Sequence, residues 1–324
     1  GAQVVPLIRW LSGMAHVVEV LVAVLCLVTV AHATQINRPV IGILTQPSSS
    51  ALQPYGNSYI ASSYVKYVEA GGAQVVPVFY DASEEELQFT FSQINGLLLP
   101  GGGSDLYNTT LYHAAEYLYD LAIANPEDYF VVFGHCQGFE LLTMVTSEDL
   151  DILGTNYNSE NITMPLNFTG EAMRSNIFKH APNNVLRILA NDDVTMNNHN
   201  MGVDFATWYA NGHLPAFYEI LSWNHDRDGR KFISTFEGKE YPVYGIQWHA
   251  EKPQFEWNPD EVINHSPEAI EAMSYMQRFL VNEARKSKHS FQSQELLNSM
   301  LIYNYPQVYT EEFDSSFETC YMFQ

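Results

Sequence analysis

From Pro39 onward the chain alternates short, β-branched apolar runs with stretches whose apolar positions recur every three or four residues. Val40-Ile41-Gly42-Ile43-Leu44 opens the series and Gln74-Val75-Val76-Pro77-Val78-Phe79 repeats it. Between them, Ser58 to Ala70 is apolar at Ile60, Tyr64, Val65 and Val68 and closes on Gly71-Gly72, a helical spacing with a helix stop. The three segments predict a β-α-β unit. Ser83-Glu84-Glu85-Glu86 has the form of a capping box opening a short helix, and Ile94 to Leu99 predicts a third strand that breaks at Pro100-Gly101-Gly102-Gly103. Leu111 to Ala124 predicts a helix, Tyr129 to Phe133 a strand, and Phe139 to Val145 a further helix. Strands that are apolar throughout and alternate with helices predict an α/β fold: a mostly parallel central sheet with helices on both faces.

The stretch 151–212 is polar and Asn-rich, and no period stands out in it. After it, Ala216 to Trp223, Phe232 to Glu237 and Tyr241 to His249 predict strands. Ser266-Pro267-Glu268 starts a helix expected to reach Arg285-Lys286, with Ser as N-cap, Pro in the first turn and an acid beside the positive helix end. The tail from Ser287 to Gln324 is rich in Tyr and Phe and is expected to pack back onto the sheet. No break in composition divides residues 34–324, which are expected to form a single domain.

The longest apolar run changes the picture at the start of the chain. Met14 to Ala33 contains an uncharged segment, Val20 to Val30, followed by Ala31-His32-Ala33, a small-x-small cleavage pattern, so residues 14–33 are expected to be a signal peptide and not a membrane span. Residues 1–13 begin with Gly1-Ala2-Gln3-Val4-Val5-Pro6, the same letters as Gly72 to Pro77, and are expected to be a non-native extension. Four Asn-x-Ser/Thr sequons, at Asn108, Asn161, Asn167 and Asn264, agree with export and are candidate glycosylation sites.

Composition excludes some partners. Against 37 Asp+Glu stand 15 Lys+Arg, a formal net charge of −22, so the broad basic surface that nucleic acid or an anionic membrane requires is missing. Of three cysteines, Cys26 leaves with the signal peptide, and Cys136 and Cys320 remain. A Cys136–Cys320 bridge and a working thiol are both open at this point.

The chemistry gathers around Gly134-His135-Cys136-Gln137-Gly138, a strand end that turns at once into a helix. Two glycines permit a tight turn, and the helix N-terminus favours thiolate at Cys136; the Gln137 amide could face an oxyanion. This has the form of a nucleophile elbow with thiol in place of hydroxyl, the competing reading being a buried structural cysteine. A general acid is supplied by Gly245-Ile246-Gln247-Trp248-His249-Ala250-Glu251: if extended, it turns His249 and Glu251 to one side, so the carboxylate can orient the imidazole. The loop Pro100 to Ser104 offers unhindered N–H groups at the same sheet edge. It lacks the lysine and context of a phosphate loop, and no Cys or His pair has zinc spacing, so neither cofactor nor metal is expected.

Taken in order, PGGGSDL, FGHCQGFE and YPVYGIQWHAE resemble the class I glutamine amidotransferase fold, and within it the γ-glutamyl hydrolase family. The likeness continues through RPVIGILTQP, SYVKYVEAGGAQVVPV, MPLNFTG, FISTFEGKEYPVYG, FLVNEARK and the closing CYMF, covering about Arg38 to Gln324. The resemblance implies that Cys136 is the nucleophile, His249 the general acid/base and Glu251 its orienting partner. It implies that Gly102 and Gln137 form the oxyanion hole, and that Glu140 and His199 shape the substrate site. Relatives commonly have His-Pro-Glu where this chain has His249-Ala250-Glu251. The implied reaction is hydrolysis of γ-glutamyl amides of folate polyglutamates through a thioester, without a cofactor, in a secreted and lysosomal protein that relatives suggest is a homodimer. A glutaminase-type amidase and a secreted, non-catalytic binding protein of the same fold are the alternatives. Arg174, Lys179 and Arg187 are candidates for holding the substrate's carboxylates.

Overall fold

The computed structural model describes residues 36–313 and 316–324, so the expectations for residues 1–13, the signal peptide and Cys26 lie outside the described residues. Residues 37–324 form one compact unit. In chain order its elements begin with β1 (Val40–Leu44), β2 (Gln46–Pro47), β3 (Ser58–Ala61), α1 (Ser62–Gly71), β4 (Gln74–Val78), α2 (Glu84–Gln93), β5 (Gly96–Leu99) and α3 (Thr110–Ile123). The elbow joins β6 (Val131–His135) to α4 (Gln137–Ser147). The polar middle supplies β7 (Ser159–Met164), β8 (Asn167–Phe168), α5 (Asn183–Asn191), β9 (Thr195–His199), α6 (Phe205–Ala210) and α7 (Leu214–Phe217). After it come β10 (Tyr218–His225), β11 (Lys231–Gly238), β12 (Val243–Ile246), α8 (Lys252–Phe255), α9 (Pro267–Ala284), α10 (Gln294–Met300), β13 (Gln307–Tyr309) and β14 (Thr319–Phe323).

The central sheet has eight strands in the order β4-β1-β5-β6-β12-β11-β10-β8. β4, β1, β5, β6 and β12 run parallel, and the β12-β11-β10-β8 side is antiparallel. Alternate residues of each strand feed two cores, which is the period of two that a sheet covered on both faces requires. Ile41, Ile43, Leu98 and Phe133 meet Tyr64, Val68, Met276 and Leu280 of α1 and α9 on one face. Val40, Leu44, Leu97, Leu99 and Val132 meet Leu118, Phe139 and Leu142 of α3 and α4 on the other. The end caps are local: Ser83 and Glu86 form the reciprocal capping box, and Ser266 Oγ accepts from the Ala269 N–H at 3.2 Å.

Several boundaries differ from the sequence expectation. Ser58–Ala61 is strand, because β3 pairs with β14 and β2 in a second, four-stranded sheet, β13-β14-β3-β2; a partner brought from the far end of the chain overrides the local helical spacing. The aromatic tail therefore packs back through a sheet of its own. The strand predicted at Tyr129–Phe133 starts and ends two residues later, placing His135 in it, and Ala216–Phe217 close a short helix that Pro215 starts. The strand expected over Tyr241–His249 stops at Ile246. In the middle, β7 and β9 pair with each other, with a register shift that blurs their alternation. Among the described residues, no helix is long and apolar enough to cross a membrane.

Candidate active site

Cys136 stands between β6 and α4 with φ 49° and ψ −107°, a conformation that residues bearing a β-carbon rarely adopt. Its N–H donates to Ile246 O at 2.8 Å, which ties the turn to the neighbouring strand. The two flanking glycines are steric necessities. A β-carbon on Gly138 would lie 2.0 Å from Leu99 O, and one on Gly134 would lie 2.4 Å from Gly138 O. Burial pushes the Cys136 thiol well up, Glu140 and Glu251 add to that, and the Gln137 N–H and Lys252 oppose it. Burial thus works against the thiolate, and a base beside the sulfur favours attack.

His249 reaches the thiol's neighbourhood from a bend beyond β12, not from strand alternation. Its N–H donates to Met196 O at 2.8 Å in an isolated antiparallel bridge, and the chain then turns into α8, bringing Glu251 back beneath the ring. His249 Nδ1 donates to Glu251 Oε1 at 2.6 Å with both side chains buried. A β-carbon on Gly101 would lie 2.8 Å from His249 Cε1 and 3.2 Å from Cys136 Cβ, so imidazole and thiol side chains both border this glycine. Burial alone would raise the Glu251 carboxyl, but the charge of His249 and hydrogen bonds from His135 and His249 outweigh it and hold Glu251 well below the usual range.

Two further residues join this cluster that the sequence reading did not single out. Tyr64 Oη accepts the Gly101 N–H at 2.7 Å and lies 3.3 Å from His249 Nδ1. His135 Nδ1 lies 3.4 Å from Glu251 Oε2. Tyr64 fits the apolar spacing of a helix and His135 carries no pattern of its own; neither has a local signal for the site, because Glu251 is distant in sequence.

A cavity of about 410 Å³ opens over Cys136 and His249. Gly102, Gln137, Glu140 and His199 all border it. Two side-chain amides crowd Gly102: a β-carbon there would lie 2.8 Å from Gln46 Oε1 and 2.9 Å from Gln137 Oε1. Gln137 begins α4, where its N–H has no intrahelical acceptor, while its side chain donates to Ser104 O at 2.6 Å. Glu140 is pushed up to about 8 by burial, against the Gln247 amide that donates to it at 3.0 Å. His199 is pushed down to about 4, first by burial. Its Nδ1 donates to Met201 O at 2.6 Å, so the neutral ring has only an acceptor left at Nε2. That disfavours His199 as the proton donor.

Lys252 also borders the cavity, paired with Glu261, whereas Arg174, Lys179 and Arg187 are exposed and do not. Arg174 pairs with Glu171, Lys179 with Asn176, and Arg187 lies 3.7 Å from Asp192. The structure does not bring these three candidate carboxylate holders to the cavity. The Cys136–Cys320 bridge is overturned, since both cysteines are free and buried, Cys320 within β14. Of the sequons, Asn108 and Asn167 are exposed. Asn161 Nδ2 donates to Asp260 O at 2.9 Å and Asn264 Nδ2 to Asp193 O at 2.7 Å.

Comparison with known proteins gives a consistent picture. The family described as Peptidase C26 matches residues 39–251. γ-Glutamyl hydrolase B of Dictyostelium discoideum is 45% identical over 293 residues, 89% of this chain and 83% of that protein. γ-Glutamyl hydrolase of Homo sapiens is 40% identical over 296 residues, 90% and 92% of the two chains. γ-Glutamyl hydrolase 1 of Arabidopsis thaliana is 35% identical over 293 residues, 88% and 83%.

Proposed function

The chain belongs to the peptidase C26 family, whose γ-glutamyl hydrolases are its relatives, and on that premise we propose that it hydrolyses γ-glutamyl amide bonds of folate polyglutamates. The observation that carries this reading is that Cys136, in an elbow geometry, and His249, backed by the buried Glu251, open onto one cavity. As the Cys136 sulfur attacks the γ-carbonyl carbon, its proton passes to His249, whose positive charge Glu251 stabilises. The oxyanion faces the N–H groups of Gly102 and Gln137. The C–N bond breaks, and His249 returns the proton to the leaving amine. Water then attacks the thioester with His249 as base, releasing the γ-carboxylate and restoring the thiol.

Glu140, neutral below about pH 8, and His199, an acceptor at Nε2, border the cavity as polar groups suited to orient a glutamyl unit. Product analysis on pteroylpolyglutamate with the wild-type protein and Cys136→Ala tests the reading. Shortened products from the wild type alone are expected. Equal turnover by both would remove the thiol from the mechanism. A glutaminase-type amidase would instead release ammonia from free glutamine, and a binding protein would leave the polyglutamate intact.

We further propose an exported, lysosomal homodimer whose mature chain begins at or near Thr34. The apolar run, the Ala31-His32-Ala33 triplet and the sequons support export, and the family resemblance supports the rest. Asn108 and Asn167 are the sequons best placed to carry glycan, because the amides of Asn161 and Asn264 are already engaged. N-terminal sequencing, glycopeptide mapping and the sedimentation mass of the secreted protein test this. Residues 14–33 still attached would overturn the export reading.

A further inference from the structure

Glu251 has two carboxylate oxygens, and each faces a different histidine. Oε1 takes the His249 Nδ1–H at 2.6 Å, and Oε2 lies 3.4 Å from His135 Nδ1. His135 is the last residue of β6, fully buried and directly before the nucleophile, and no step of the hydrolysis uses it. We infer that His135 is a positioning residue: its Nδ1–H pins the second oxygen of Glu251, so that the carboxylate cannot rotate away from His249 while the imidazolium forms and decays. The inference rests on the hydrolase reading of the same site.

The surroundings fix both the ring and its tautomer. Tyr64 and Tyr67 of α1 stand 5.8 and 5.2 Å from the His135 ring centroid, and Phe133 of the same strand stands at 4.8 Å. His135 Nε2 is buried with no hydrogen-bond partner among the described residues. A proton there would be a buried donor without an acceptor, so the favoured form is neutral, with its one proton on Nδ1 facing Glu251. Burial pushes the ring below its ordinary value despite Glu251, in keeping with this. A neutral donor suits the task. It holds the carboxylate without bringing a second positive charge to compete with the His249 imidazolium. The other ionisable groups around this pair are His249 itself, Tyr64 and Tyr67 from α1, Cys136 from the elbow, Lys252 from α8 and Glu256 just after it.

The test compares His135→Leu, which keeps most of the volume and loses the donor, with His135→Asn, whose amide nitrogen can replace Nδ1. Two readouts are taken against pH: kcat/KM on a pteroylpolyglutamate, and the rate at which iodoacetamide alkylates Cys136, located by peptide mapping. His135→Leu should lose on the order of 10- to 100-fold in kcat/KM, the worth of a hydrogen bond to a charged group. With one donor gone Glu251 protonates more readily, so the acid limb of both profiles should move to higher pH. His135→Asn should recover most of the rate and return the limb. In a Glu251→Gln background, His135→Leu should add little. Should the Leu variant fail to fold, His135→Val, a strand former at a strand end, takes its place. Wild-type rates and limbs in the donor-free variant would overturn the inference, as would an equal loss in the Glu251→Gln background, which would mark a packing role. The alkylation profile needs no substrate: its shift in a protein without γ-glutamyl turnover would sink the hydrolase reading and leave the positioning role standing.

Discussion

Gly138 rests directly against the backbone of Leu99, so closely that a β-carbon would sit 2.0 Å from the Leu99 carbonyl oxygen. That contact seats the first turn of α4 on β5 and sets the height of Cys136 above the sheet. Gly138→Ala must push helix and strand apart, an overpacking cost of about 3 kcal/mol, and should also lower turnover by displacing the thiol. Urea unfolding alongside kcat checks it. Wild-type stability in Gly138→Ala would mean the close approach is not required.

Cys136 has a stability consequence of its own. Cys136→Ala and Cys136→Gly should both be inactive, but glycine relieves the φ of 49° that alanine must keep. The glycine variant should therefore be the more stable of the two by about 1–2 kcal/mol, as such strain is worth about 1–3 kcal/mol. Thermal unfolding of the pair decides it. Cys320→Ala, buried in the other sheet, is the control and should keep its activity.

His249 and Glu251 should differ in how much they matter. His249→Ala removes the proton carrier for both half-reactions and should cost roughly 10²–10⁴-fold. Glu251→Gln keeps a side chain under the ring and should retain a measurable rate, above that of His249→Ala. Because Glu251 is held below its usual range, its stabilising contribution is present above the unfolded value near 4.5 and is lost as pH falls through the lower folded value. The wild type should accordingly lose stability relative to Glu251→Gln progressively as pH falls below 4.5. Denaturant midpoints of the two proteins between pH 2 and pH 7 measure this.

Glu140 has the opposite sign. Its folded value, about 8, lies above the ordinary 4.5, so its contribution is fully present below 4.5 and is lost as pH rises through about 8. Glu140→Gln mimics the protonated form and preserves the bond from Gln247. The variant should gain on the wild type between pH 5 and pH 8, by up to about 1.4 kcal/mol per pH unit. Parallel slopes for the two proteins would show that Glu140 is not buried in a neutral form.

Ala250 occupies the place where the family resemblance implies a proline. It is fully buried, and its N–H makes no hydrogen bond among the described residues, so a proline there would sacrifice no donor. Ala250→Pro should keep or raise kcat and raise the melting temperature slightly. A large loss would mean that the turn needs a backbone angle proline cannot adopt.

The parallel half of the sheet was legible because each strand is a continuous apolar run and the helices carry their own boundary signals, a stop at Gly71-Gly72 and a start at Ser83. The elbow was legible for the same reason: its constraints are local. What was not legible depends on partners far away in the chain. Ser58–Ala61 reads as helix until Thr319–Phe323 pairs with it, and β7 and β9 hide behind a register shift. His249 and Glu251 were paired on the expectation of a strand, yet the pairing arises from a bend. Either geometry brings residues two apart to one side, which is why the wrong element led to the right contact. Lys252 and His135 had no pattern at all, only neighbours.

Ser316 and Phe317 border the same cavity as Cys136, and they are carried there by the loop that leads into β14. On a ribosome, β6, the elbow and His249 emerge well before this segment, and β3, which can pair early with β2, must wait for β14 through almost the entire synthesis. A nascent chain can therefore form its nucleophile before it can form the wall around it. The thiol acquires its finished surroundings only when the last sheet zips up, so the order of translation itself delays the appearance of a complete pocket.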